Sequence, residues 1–298
     1  MLQKIDDENI ISRRRDFLIP GNVKLHTEIL CNSGNRTRRA LFIHGGGVTG
    51  NHTIVRRPSM WLISKGIFDE IIMPDRRGSG GSSPFTRLMT TGELALDMKL
   101  LLDEMKISEP LSVIASSYGG PIALILASID KRIEKVILFG SSPILTLTDG
   151  ILNTPYRLGL VLPFIKFIVR LFTGRAVVKG DVDLDFVYDI TSLPGYIRAQ
   201  IDILKKMERS RLSSMILQAE SVFMKKNMSL PLDIKVEVPV LQVIGERDGV
   251  WERNIPVKYL KNMPLFRQVI IKKASHKDIF LRADEFLKGA VEKGDFEE

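Results

Sequence analysis

Short apolar runs alternate with longer amphipathic stretches along most of the chain. Residues 18–19 and 23–30 read as an opening pair of strands, joined across Pro20-Gly21-Asn22, which suits a chain reversal. The run at 40–43 is wholly apolar and ends in glycines; that at 71–73 ends in Asp75-Arg-Arg-Gly78. Further strands are expected at 111–115, 136–139, 238–244 and 269–271. Between them, residues 91–105 place Leu94, Leu96, Met98, Leu101, Leu102 and Met105 among charges, which predicts an amphipathic helix. Residues 121–129 are almost continuously apolar and predict a buried helix; 284–291 opens a surface helix. Strands separated by helices imply an α/β fold, with a mainly parallel sheet flanked by helices on both faces.

Residues 146–232 break this rhythm. No apolar run there reads as a buried strand. Pro163 suits a first helical position, and Phe164, Ile165, Phe167, Ile168, Leu171 and Phe172 fall on one face, opposite Lys166 and Arg170. A second helical zone spans 196–224. The pattern predicts a helical cap over 146–232 inserted between core segments 1–145 and 233–298. That these helices simply extend the core is left open.

The chemistry gathers where strands end. In Leu111-Ser-Val-Ile-Ala-Ser-Ser-Tyr-Gly-Gly120 a strand runs straight into a helix, with Ser117 at the turn. A nucleophile at such a turn needs small residues two before and two after it, so that strand tail and helix head do not collide. Ala115 and Gly119 meet that demand; centring on Ser116 would place Ile114 and Tyr118 there, which fails. A serine hydroxyl needs a base to take its proton. Of His26, His44, His52 and His276, only His276 follows the last strand, at the sheet edge where open parallel sheets carry their sites. Its second ring nitrogen needs an acceptor, and Gly245-Glu-Arg-Asp248 supplies Asp248, with Glu246 as the fallback. The oxyanion of an acyl transfer needs backbone donors. These are assigned to the N–H groups of Tyr118 and Gly46, with Gly45 or Gly47 in reserve, because bare glycines in His44-Gly-Gly-Gly47 let main chain approach a substrate closely.

Five motifs in order, Ile43-His-Gly-Gly-Gly47, Asp75-Arg-Arg-Gly-Ser-Gly-Gly-Ser82, Ala115-Ser-Ser-Tyr-Gly-Gly120, Gly245-Glu-Arg-Asp248 and Ser275-His276, together resemble the α/β-hydrolase superfamily, in its serine-nucleophile branch. The resemblance runs through both core segments and skips the cap. It implies an α/β-hydrolase fold and makes Asp75 to Gly80 a structural turn. The Asp-Arg-Arg-Gly-Ser-Gly segment is similar to proline iminopeptidases and related carboxylesterases. The chain departs from those peptidases in lacking proline after His44-Gly-Gly and in carrying Ala115 and Tyr118 where they have glycine and tryptophan. The serine at the elbow separates it from haloalkane dehalogenase and epoxide hydrolase relatives, which use aspartate there.

Composition narrows the classes further. A chain of 298 residues, 44% hydrophobic, has one cysteine, Cys31, so no internal disulfide forms; Cys31 reads as a small buried residue. The net charge of +8 comes from scattered Lys and Arg, so no nucleic-acid partner is expected. No run approaches the roughly 20 apolar residues of a membrane span, and the first residues lack a secretory core, so a cytoplasmic protein is expected.

Gly45-Gly-Gly47-Val-Thr-Gly50 with Asp75 outlines a dinucleotide site. Pro58 is expected to interrupt a helix starting at Gly50, and two strands precede the glycines. An NAD-dependent oxidoreductase is accordingly set aside, and neither a cofactor nor a metal is expected. The favoured substrate is a small-molecule ester, since the cap offers many apolar side chains. A short peptide or amide is the alternative and would need a cap carboxylate, among Asp185, Asp189, Glu208 and Glu220, to hold an ammonium. A non-catalytic small-molecule receptor on the same fold is the reading of another class. Oligomeric state is left open.

Overall fold

The computed structural model describes residues 10–32, 34, 37–45, 50–146, 209–276 and 278–293. Its strands are β1 (Ile10–Ile19), β2 (Val23–Asn32), β3 (Arg39–Ile43), β4 (Glu70–Pro74), β5 (Leu111–Ser116), β6 (Ile133–Phe139), β7 (Val240–Gly245) and β8 (Phe266–Ile271). They form one sheet of order β1-β2-β4-β3-β5-β6-β7-β8. β1 and β2 pair antiparallel, as do β2 and β4; from β4 to β8 the sheet is parallel. The expected α/β architecture is the one observed.

The central strands are mostly apolar because both faces are covered. Alternation sorts their side chains: Leu41 and Ile43 of β3 join one core, Ala40 and Phe42 the other. The first core is closed by α2 (Thr91–Glu104) and α3 (Gly119–Ile129), the second by α1 (Thr53–Ser64) and the last described helix, α7 (Ala283–Lys293). The three short or peripheral helices between are α4 (Arg209–Val222), α5 (Val257–Leu260) and α6 (Asp278–Leu281). Cys31 is buried on β2.

Two elements differ from the pattern-based expectation. β1 begins eight residues before Leu18, and its Ser12 to Asp16 stretch is exposed, so no apolar run marks it. Pairing with β2 holds it at the sheet edge, where Arg13, Arg14 and Arg15 discourage further strand addition. α1 begins at Thr53 and runs through Pro58. The lost amide donor costs one intrahelical bond, but burial of Met60, Trp61, Leu62 and Ile63 keeps the helix against the sheet.

The strand order sets the position of the site. The chain leaves β3 in one direction to form β4, then crosses over β3 to form β5 on its other side. The winding therefore reverses between β3 and β5, and a crevice opens at their C-terminal ends. Of the predicted cap, 147–208 lies outside the described residues. α4, which falls within that predicted range, is fastened to the rest of the described chain: Ser214 Oγ accepts from Phe85 N–H at 2.8 Å, Ser221 Oγ accepts from Met89 N–H at 3.0 Å, and Gln218 Nε2 donates to the Gly78 carbonyl.

Candidate active site

The segment after β5 turns abruptly into α3, and Ser117 occupies the corner with φ of 47°. A non-glycine residue there carries backbone strain, which the surrounding contacts must hold. They do so from three sides. Ser117 N–H donates to the Phe139 carbonyl at 3.0 Å, and its own carbonyl accepts from Ser141 Oγ at 2.5 Å and from Gly120 N–H at 3.0 Å. The small residues are required by contact: a Cβ on Gly119 would strike the carbonyl of Ile43, and one on Gly45 would lie 2.5 Å from the Ser116 carbonyl oxygen and 2.6 Å from Ser117 Cβ.

His276 and Asp248 arrive at this corner from the loops after β8 and β7. Ser117 Oγ lies 3.1 Å from His276 Nε2, and His276 Nδ1 lies 2.9 Å from Asp248 Oδ2. A proton on Nδ1 facing the carboxylate leaves Nε2 free to accept from the serine. The other oxygen, Asp248 Oδ1, accepts backbone N–H bonds from Val250 at 2.9 Å and Trp251 at 3.1 Å, which fixes the carboxylate plane. The Asp248 side chain is fully buried and that of His276 is partly open. Ser117, His276 and Asp248, chosen from sequence as one group, are thus brought together. Glu246 is not among them: its carboxylate is exposed and accepts from Lys273 N–H at 2.7 Å.

Tyr118 stands at the head of α3, where a backbone N–H has no intrahelical acceptor. Gly46 and Gly47 lie outside the described residues, but the residues on either side of 46–49 are described. On one flank Gly45 N–H donates to Ser116 Oγ at 2.9 Å, so Gly45 abuts the serine corner. His44 is fully buried; its Nδ1 bonds the Gly45 carbonyl at 2.8 Å and its Nε2 accepts from Arg76 N–H at 3.2 Å. Burial, then the neighbouring Arg76 charge, holds the His44 pKa down to about 3, so the ring is neutral. On the other flank His52 donates its N–H to Asp75 Oδ1 at 2.7 Å, with its Nδ1 2.8 Å from the same oxygen.

Sequence reading treated 75–80 as a structural turn, and Asp75 and Arg76 show what it supports. Asp75 is completely buried and also accepts from Gly81 N–H at 2.7 Å. Both of its carboxylate oxygens are thus engaged by groups of the protein itself. Arg76 is almost wholly buried, donates from Nε to the His44 carbonyl at 3.0 Å, and sits 5.3 Å from the centre of the Tyr118 ring. Desolvation lowers its pKa to about 10, so it still carries its charge at neutral pH. Arg76 and Trp251, whose indole Nε1 lies 3.4 Å from Ser117 Oγ, were not singled out from sequence. Local patterning carries no signal for a contact made across 134 residues.

Among the described residues no cluster of His, Cys, Asp or Glu is placed to hold a metal ion, and no helix is long and apolar enough to cross a membrane. Of the carboxylates considered for an ammonium, Glu220 is half-buried on α4; Asp185, Asp189 and Glu208 lie outside the described residues.

A model of the alpha/beta hydrolase family matches residues 40–288. No curated protein matches the sequence. Among solved structures, an esterase from Exiguobacterium antarcticum superposes with a TM-score of 0.69 at 17% identity, covering 94% of this chain and 98% of its own. The 2-hydroxy-6-oxo-6-phenylhexa-2,4-dienoate hydrolase of Rhodococcus sp. strain RHA1 gives 0.68 at 17% identity, covering 95% and 98%. The enol-lactonase of Burkholderia xenovorans LB400 gives 0.66 at 19% identity, covering 93% and 98%. At these identities the likeness is one of fold.

Proposed function

Because the chain belongs to the α/β-hydrolase family, we propose that it is a serine hydrolase that cleaves a small-molecule ester through an acyl-enzyme. The observation that carries this reading is the relay from Ser117 Oγ through His276 to Asp248, with links of 3.1 and 2.9 Å, at a strained elbow. Ser117 is the nucleophile, His276 the general base and acid, and Asp248 the residue that orients the imidazole and stabilises its charged form.

As Ser117 Oγ bonds to the ester carbonyl carbon, its proton passes to His276 Nε2. The carbonyl oxygen, now negative, is held by the N–H groups of Tyr118 and Gly46, each worth about a hundred- to a thousandfold in rate. Collapse expels the alcohol with the proton from His276. Water, deprotonated by His276, then releases the acid. The arrangement needs no cofactor. Arg76 serves this chemistry at one remove, tying the His44 and Gly45 carbonyls to the face of Tyr118 and so joining the two sides of the oxyanion site.

An ester is favoured because residues 146–232 carry many Leu, Ile, Phe and Met side chains, which suit an apolar acyl or alcohol group. A screen of p-nitrophenyl esters beside proline- and alanine-naphthylamides tests the reading. Ester turnover with little amide turnover is expected. Preferential cleavage of the proline amide would transfer the assignment to the aminopeptidase class. Stabilisation by a small ligand with no turnover of either would mark a receptor.

A further inference from the structure

The indole of Trp251 is directed at the atom on which the proposed chemistry turns. Trp251 follows Asp248 by three residues, and its backbone N–H is one of the two that fix the Asp248 carboxylate. Its side chain is buried, with the residue only 2% exposed. The backbone around it is clamped: Leu145 and Trp251 form an antiparallel bridge, Thr146 N–H donates to the Val250 carbonyl at 2.9 Å, and Glu252 N–H donates to the Ile144 carbonyl at 3.0 Å. From this held position Nε1–H reaches Ser117 Oγ at 3.4 Å. An indole N–H can only donate. Ser117 Oγ therefore has a donor on one side and His276 Nε2 on the other, and its own proton is directed to the base.

We infer that Trp251 is a further catalytic residue, a hydrogen-bond donor to the nucleophilic oxygen that acts when the C–Oγ bond forms and again when it breaks. The inference rests on Ser117 being the nucleophile. At 3.4 Å the bond is long for a neutral acceptor, and it strengthens as charge gathers on Oγ, because bonds to ionised acceptors are shorter and about twice as strong. In deacylation the oxygen of water adds to the acyl carbon while His276 Nε2 takes one of its protons, and the carbonyl oxygen becomes negative. On collapse the carbonyl re-forms and the C–Oγ bond breaks. Its electron pair returns to Oγ, and His276 delivers the proton there. Trp251 donates to that electron pair while the proton is in transit. Acylation runs the same events at Oγ in reverse. An interaction stronger in the transition state than in the ground state raises kcat and leaves KM nearly unchanged.

Two measurements test this. Trp251→Phe keeps an aromatic ring and removes the N–H. With p-nitrophenyl acetate, kcat should fall about tenfold with KM within about twofold of the unsubstituted protein. A kcat within twofold overturns the inference, as does a loss confined to KM. The second measurement keeps Trp251 in place. The chain has two tryptophans, and Trp61→Phe in α1, on the far side of the sheet, leaves Trp251 as the sole indole. Labelling Ser117 with a fluorophosphonate then replaces the hydroxyl by a phosphonate ester at the indole N–H. The emission of Trp251 should change in step with the adduct mass. An unchanged emission on a protein shown to be labelled at Ser117 overturns the role of Trp251 alone. A wild-type protein that neither takes the label nor turns over ester refutes the hydrolase reading itself.

Discussion

Acidification to pH 4.5 should strip stability from this fold through one buried ring, His44, two residues before the assigned oxyanion donor. Both its nitrogens are committed in the neutral form, one to the Gly45 carbonyl and one to Arg76 N–H, and a second positive charge would sit beside the Arg76 guanidinium. Burial first, and that charge second, depress its pKa to about 3. Unfolded, the same imidazole titrates near 6.5. Between these values the unfolded chain binds a proton that the folded chain refuses, so stability falls as pH falls. Integrating one proton from pH 7 to pH 4.5 gives a loss of about 2 to 3 kcal/mol. His52 works the other way: burial pushes its pKa down, but the adjacent Asp75 and Glu28 carboxylates outweigh this and raise it. Its contribution is therefore complete below pH 6.5 and fades as pH climbs through the raised value, so it does not supply the acid loss. The assay is urea unfolding at pH 7.0 and 4.5 for the wild type and His44→Gln, which cannot titrate. The wild type should lose about 2 to 3 kcal/mol more than the variant over that interval. Equal losses would refute the claim that His44 is held neutral.

Other perturbations follow from the same geometry. Asp248→Asn removes the acceptor of His276 Nδ1–H and should lower ester turnover by up to ~10⁴-fold, whereas Glu246→Gln, bonded to Lys273 N–H on the rim, should stay within about twofold of wild type in the same steady-state assay. A negligible effect at Asp248 would move the orienting role elsewhere. Gly119→Ala drives a Cβ into the Ile43 carbonyl and should cost about 1–3 kcal/mol in urea unfolding while slowing modification of Ser117. A variant as stable and as reactive as the wild type would mean that the elbow is looser than the contacts require.

How much of this was legible in the sequence depended on how local the cause was. β3, β4, β5 and β6 declared themselves as apolar runs because helices cover both faces of the sheet there. β1 did not: its reason for being a strand is the ladder with β2, and its exposed arginines carry no alternation. The Pro58 argument failed because tertiary burial of the turn after Pro58 outweighs a single missing bond. At the site, the small residues around Ser117 are a local steric demand and could be read directly. The partners at 248 and 276 were found because strand ends place side chains at one rim of the sheet. Arg76, Ser141 and Trp251 were not found, since a buried guanidinium against a carbonyl or an indole aimed at a hydroxyl has no signature in neighbouring positions.

Intact-protein and peptide mass analysis after reaction with a fluorophosphonate examines the activation of Ser117 by His276 without any knowledge of the substrate. A single adduct on Ser117, absent from Ser117→Ala at unchanged melting temperature, is the expected outcome. An adduct on another residue, or equal labelling of the alanine variant, would contradict the account.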